Sequence, residues 1–304
     1  MEKLLYKFLR KNLSLEQFDL ERVTKGHRTA YVIKESGKPY GVVKLFRGLD
    51  TWKRYYNAHE FFKEENLSVP KLLISNKNLS TRLFCGGFLL VEEWVSGGDL
   101  ENNIENMEVL KASGKALAMI HNIQSPNFGP VLSSTNNRFN ENSMRNSVKH
   151  QLDNIGSLLS NKEKSKVNEL LNEGFSKYPW ERDYSLCHRD ACPDNILVRE
   201  EDNSVVFIDL ASVSFHLFFF DLVKLLFCIE EINTESAKHF LDSYLESSQH
   251  LYNGEWEENE NLYRIAFHLK SCAQYFRRYN KRKDKKHLDL AKKHSKNLIK
   301  YIEF

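Results

Sequence analysis

His188-Arg189-Asp190-Ala191-Cys192-Pro193-Asp194-Asn195 runs into Ile196-Leu197-Val198, a polar turn from Glu200 to Ser204, and then Val205-Val206-Phe207-Ile208-Asp209. The two apolar runs read as short strands and the residues between them as a reversing turn. Chain reversal would return Asn195 and Asp209 to neighbouring points at one end of a hairpin, where an amide oxygen and a carboxylate could share a hard cation. Asp190, five positions before the asparagine, could orient and deprotonate a hydroxyl. A base, a carboxamide and a second carboxylate are what phosphoryl transfer asks of a protein. That reaction is catalysed mostly by positioning and by neutralising the charge spread over the transferred group's oxygens. A lone His-Arg-Asp tripeptide would be a surface turn with a charge pair, and it is the hairpin after it that lifts the segment above that reading.

On these residues, the segment from 187 to 227 resembles the aminoglycoside phosphotransferase and choline kinase-like family, small-molecule relatives of the protein kinases. Softer matches occur in the family's order along the chain. They are Gly41-Val42-Val43-Lys44 as a nucleotide-lobe strand, Leu89 to Gly97 as an interlobe connection, and Leu117-Ala118-Met119-Ile120-His121 closing a helix. The resemblance implies an α+β, bilobal protein kinase-like fold. Its amino-terminal lobe, an antiparallel β-sheet with one helix, would occupy 1–94, its hinge 95–99, and its mainly helical catalytic and acceptor-binding lobe 100–304. It also implies ATP as cofactor, with GTP as the alternative, together with Mg²⁺. Asp190 is then the base, Asn195 and Asp209 are the metal ligands, and Lys44 is the ligand of the nucleotide phosphates.

Two departures separate the chain from protein kinases. Cys192 stands where the Ser/Thr enzymes carry a lysine, and Asp209-Leu210-Ala211 replaces Asp-Phe-Gly. Leu217-Phe218-Phe219-Phe220-Asp221 then opens another apolar stretch, which leaves no room for an activation segment, and no Ala-Pro-Glu follows. A small hydroxylated acceptor is therefore expected: an aminoglycoside-like antibiotic, a choline-like alcohol, a sugar or a nucleoside. The rivals are a protein Ser/Thr kinase and a nucleotide-binding pseudokinase acting through a partner. Retention of Lys44, Asp190, Asn195 and Asp209 together argues against the second, since a scaffold has no need of a base. His188 reads as a packing residue behind the loop, and Asp221 as an N-cap, at a place where the resemblance implies an aspartate that buttresses the loop.

In the amino-terminal part, Phe18 to Val23, Ala30 to Ile33 and Tyr40 to Phe46 read as three antiparallel strands. The first connection, Thr24 to Thr29, could cover phosphates, but it holds the single glycine Gly26 and serves equally as a plain hairpin. Lys44 is a cation among apolar strand residues, costly to bury unless a carboxylate or phosphate meets it. Its partner is expected on a helix from Asp50 to Glu65, with Glu60 bordering the aromatic face and Glu64 the alternative. Leu72 to Ile74, Arg82 to Cys85 and Phe88 to Val91 would complete a sheet of about five strands. Backbone groups of Glu93, Trp94 and Val95 could then meet the base edge of the nucleotide.

Further on, Leu100 to Ile123, Ser143 to Leu159, Glu163 to Lys177, Thr234 to Ser247, Glu258 to Tyr279 and Lys285 to Tyr301 carry helical periodicity, with a polar loop from Ser133 to Asn142. Glu255, Glu257, Glu258 and Glu260 beside Trp256 could receive an amine, although a solvated helix start accounts for them more simply. Tyr275, Phe276 and Tyr279 could line an aromatic wall, or simply fill the core. The basic run from Arg277 to Lys300 is by default a solvated helix, with an anionic acceptor or nucleic acid as alternatives.

At 304 residues and 41% hydrophobic, the chain can bury a sizeable core, and a net charge of +3 gives no global argument for nucleic-acid or membrane binding. Five widely spaced cysteines lack the spacing of zinc sites or disulfide frameworks and suit a reducing cytoplasm. Neither a targeting nor a membrane-spanning segment is expected, nucleic acid is not an expected partner, and the oligomeric state is not readable from sequence.

Overall fold

The computed structural model describes residues 2–23, 29–75, 88–132 and 138–303. Gly26 and the expected strand Arg82 to Cys85 lie outside the described residues. Helix α1 (Glu2–Leu13) comes first, with Leu5 and Leu9 buried one turn apart. Strands β1 (Phe18–Arg22), β2 (Thr29–Glu35) and β3 (Lys38–Phe46) then pair antiparallel. After α2 (Leu49–Glu64), β4 (Leu72–Ser75) and β5 (Phe88–Glu93) complete a five-stranded sheet in the order β1-β2-β3-β5-β4. Helix α2 starts at Leu49 with Gly48 as its cap residue, so Asp50 sits inside the first turn, where its carboxylate suits the helix dipole, and does not cap it.

Strand alternation decides which side chains can reach the site. Val43, Leu89 and Val91 pack with Leu5, Leu9, Tyr31 and Ile33 in one apolar cluster. Phe46, Phe88 and Leu90, in the opposite phase, join Trp52, Tyr55 and Phe62 of α2 in the main core. Lys44 and Glu92 share the phase of Phe46 and Leu90, which sends both toward α2.

The chain leaves the sheet along a segment laced onto the later hairpin. Val198 N–H donates to the Gly98 carbonyl at 2.9 Å and Leu100 N–H to the Ile196 carbonyl at 2.8 Å, while Asp99 bridges Leu197. At Gly97, φ is +98° and a Cβ would lie 2.6 Å from the Val198 carbonyl oxygen, so only glycine allows this approach.

Helix α3 (Met107–Asn122) begins later than periodicity suggested. Residues 100–105 form turns, and the Asn106 side chain accepts from the N–H groups of Glu108 and Val109 as an N-cap. Short strands β6 (Gln124–Ser125) and β7 (Gly129–Pro130) follow, then α4 (Glu141–Asn154) and α5 (Asn161–Ser176), the latter opened by a Ser160–Glu163 capping box. Strand β8 (Tyr184–Cys187) leads into the hairpin β9 (Ile196–Val198) and β10 (Val205–Phe207), and β11 (Ser214–His216) closes a small sheet in the order β6-β8-β11-β7. Helices α6 (Phe219–Glu230), α7 (Thr234–Ser247), α8 (Glu255–Arg282) and α9 (Lys285–Ile302) complete the chain. The result is the expected α+β arrangement, an antiparallel sheet followed by a mainly helical part. Among the described residues, no helix is long and apolar enough to cross a membrane.

Candidate active site

The hairpin pairs Val205 with Val198, Val206 with Leu197 and Phe207 with Ile196. One step further, Ile208 N–H donates to the Asn195 carbonyl at 3.0 Å, so Asn195 lies across from the residue that precedes Asp209. The Asn195 amide NH₂ donates to the Asp190 carbonyl at 2.9 Å, so the amide oxygen is the atom of this side chain that could meet a cation. Asp209 adopts the left-handed region at φ +63° and opens a short 3₁₀ turn, Leu210–Ser212. An amide oxygen and a carboxylate set at one hairpin end form a hard-oxygen donor pair that fits a divalent cation such as Mg²⁺.

Behind this end the loop is tied at several points. His188 is fully buried, donates from Nε2 to the Ile208 carbonyl at 2.8 Å, and accepts the Asp190 N–H on Nδ1 at 3.3 Å. Burial pushes its pKa down, so the ring is neutral and serves as a brace. Arg189 takes a left-handed φ of +67°, and its N–H is gripped by both Asp221 oxygens at 3.0 and 2.9 Å. Asp221 lies inside the first turn of α6, and what it holds is the loop rather than the helix end. Burial opposes its charge, but His121, His188 and the Arg189 N–H together hold its pKa below the ordinary carboxylate range.

Asp190 faces a cation that sequence reasoning did not single out. Lys224 Nζ, from α6, lies 2.5 Å from Asp190 Oδ1. Burial works against the lysine's charge, yet the Asp190 carboxylate holds its pKa above the ordinary value. Burial pushes the Cys192 thiol up to about 12, so it stays protonated. The signal in the sequence was one lysine within the apolar run from Phe219 to Cys228.

Lys44 finds its partner on a strand. Its Nζ lies 2.5 Å from Glu92 Oε2 and 2.6 Å from the Tyr55 hydroxyl, and Tyr55 in turn donates to Glu92 Oε1 at 2.5 Å. The expected pairing with Glu60 is thereby corrected. Glu60 is 40% exposed beside His59, and Glu64 is exposed as well. Register explains this, because Lys44 pairs with Leu90 and Val42 with Glu92, making Lys44 and Glu92 diagonal neighbours on one sheet face.

In the connecting segment, Glu93 N–H donates to the Lys71 carbonyl at 2.9 Å and Trp94 N–H to the Tyr40 carbonyl at 3.2 Å. Those two donors are spent within the chain. The Glu93 carboxylate meets Arg199 Nη2 at 2.5 Å and the Lys71 N–H at 3.0 Å, tying the sheet to the hairpin. Burial opposes its charge, and these two contacts hold its pKa below the ordinary value. Trp94 is 41% exposed and is no part of the core.

A cavity of about 550 Å³ opens on Asp190 and is walled by α6, α8 and α9. Tyr275 reaches it, whereas Phe276 and Tyr279 do not border it. The acidic cluster is also elsewhere. Glu255 is buried against Arg182 at 2.6 Å, and Glu260 pairs with Arg264 at 2.7 Å.

A model of the phosphotransferase enzyme family (APH) matches residues 19–258. No curated protein matches the sequence. Among solved structures, the chain is similar to a choline/ethanolamine kinase family protein from Mesorhizobium loti, with a TM-score of 0.68 and 14% identity over 99% of this chain and 95% of that one. Choline kinase LicA from Streptococcus pneumoniae gives a TM-score of 0.64 and 16% identity over 99% of each chain. Amicoumacin kinase hAmiN, solved with AMP-PNP, Ca²⁺ and Ami, gives 0.62 and 13% over 98% of this chain and 96% of that one. At such identities the likeness is one of fold.

Proposed function

The chain belongs to the phosphotransferase enzyme family, and on that premise we propose that it moves the γ-phosphate of ATP to a hydroxyl of a small molecule. The observation that carries this reading is the hairpin end, where Asn195 bonds to the Asp190 carbonyl and to the N–H of Ile208, which brings Asp209, the next residue, alongside. The nucleotide would lie between the sheet part, 1–94, and the helical part, 100–304, with its base against the Glu93 carbonyl and the Val95 N–H across the connection 95–99. Lys44, steadied by Glu92 and Tyr55, would hold the phosphates. The Asn195 amide oxygen and the Asp209 carboxylate would hold Mg²⁺, which when bound neutralises phosphate charge. The AMP-PNP and Ca²⁺ of hAmiN are in keeping with such a pair.

Asp190 would accept the proton of the acceptor hydroxyl as its oxygen bonds to the γ-phosphorus and the bond to the β-phosphate oxygen breaks, releasing ADP. Lys224 delivers from α6 the positive charge that Cys192 cannot supply from the loop, and it keeps the Asp190 carboxylate oriented. A small acceptor is favoured over a peptide because α6 begins at Phe219, directly after β11 ends at His216, which leaves no segment on which to lay a peptide. Asp190→Asn is expected to lower turnover by roughly 10²- to 10⁴-fold with ATP affinity retained. Turnover like that of the wild type would reject the assignment.

A further inference from the structure

We propose that the acceptor is an alcohol carrying a carboxylate or phosphate group, its anion seated between Lys270 and Arg278 and its hydroxyl turned to Asp190. This rests on the phosphotransferase reading above. Lys270, Gln274 and Arg278 recur at four-residue intervals along α8, and all three border the cavity that opens on Asp190. Of the aromatic rings that border it, those of Phe220, Phe227 and Tyr275 already meet protein cations. Lys270 Nζ lies 3.7 Å from the Phe220 ring centre, Lys293 Nζ 5.5 Å from that of Phe227, and the Arg278 guanidinium 5.6 Å from that of Tyr275. An ammonium acceptor would find those faces taken and would meet like charge.

The acids of the cavity do not offset this. Asp190 is engaged by Lys224, Glu231 by Lys293, and Asp221 by the Arg189 N–H, while Glu101 and Asp194 are exposed. Lys270 is set deeper than Arg278 and has no ion pair among the described residues. An unpaired ammonium is expensive to bury, and burial, with Arg189 nearby, pushes its pKa down to about 7. An anion in the cavity would relieve both burdens. The volume, about 550 Å³, suits a small molecule.

The test is an initial-rate screen with Mg·ATP and the whole chain. Its anionic probes are glycerate, gluconate and glycerol 3-phosphate, set against neutral glycerol and sorbitol and against choline, ethanolamine and kanamycin. The anionic alcohols should be the preferred acceptors, and the carboxylate and phosphate arms separate the two anion types. Lys270→Met should raise KM for the best anion by about tenfold or more, the loss expected for a charged hydrogen bond, while moving a neutral polyol by less than about threefold. Its melting temperature should rise, which shows that the loss is not one of folding. Preference for a neutral or cationic alcohol, or an anion KM unmoved in Lys270→Met, overturns the inference. So does an enzyme that hydrolyses ATP in an Asp190-dependent way but phosphorylates no anionic alcohol, and in that case the phosphotransferase reading stands. A protein that binds no nucleotide sinks both.

Discussion

Lys44 shows how one side chain depends on a register. Its carboxylate partner, Glu92, stands on the adjacent strand, and the Tyr55 hydroxyl closes a three-membered network with both. Glu92→Gln removes the charge but not the shape, so Lys44 should lose its alignment and ATP should bind about tenfold more weakly, on the scale of a charge-assisted hydrogen bond. Titration of the protein with ATP measures this, and an unchanged Kd would refute the role. Lys224→Met should lower kcat by roughly 10- to 100-fold with little change in ATP affinity, since the charge lost lies at Asp190, the proposed base, and not at the nucleotide. That Asp190, Asn195 and the residues around Asp209 come to one hairpin end was legible, because residue type and spacing suffice to place a reversing hairpin there. Glu60 was misjudged because helical periodicity defines a face without saying which acid reaches the sheet. Tyr55 and Lys224 were hidden among aromatic and apolar neighbours that read as core.

Among elements, the hairpin β9–β10 is positioned by the segment that crosses it. Gly97→Ala would force φ +98° on a residue with a Cβ and press that atom toward the Val198 carbonyl. We expect a loss of about 2 kcal/mol or more, seen as a lower urea midpoint, because strained backbone and a close approach both contribute. A midpoint equal to the wild type would show that the crossing tolerates a shift. Asn106→Ala should cost about 1 kcal/mol through the cap of α3. Strand alternation and hairpin position were readable in the sequence, as was the extent of α7. The start of α3 was not, because apolar residues from Leu100 onward keep a helical spacing while the chain is still in turns tied through the Leu100 N–H to Ile196. The strand bridge made there depends on residues about a hundred positions away, beyond the reach of any local pattern.

For the whole molecule, the half-buried cation of the cavity links stability to pH. The folded-state pKa of Lys270 is about 7 against an ordinary 10.5, so between these values the unfolded chain binds more protons. Its contribution to stability is complete above the higher value and is lost as pH falls to the lower one. Lys270→Met removes this dependence, so its gain in melting temperature over the wild type should be largest at about pH 6 and shrink toward about pH 10. A gain that is constant with pH would show that the lysine titrates in the fold as it does in the unfolded chain, solvated rather than shielded. The central claim is transfer of phosphate to a small alcohol, and it is tested most directly by following the label from γ-labelled ATP with Mg²⁺ and an acceptor mixture. A soluble labelled product, formed by the wild type and lost in Asp190→Asn, is the predicted result; label found only on protein, or never leaving ATP, would contradict it.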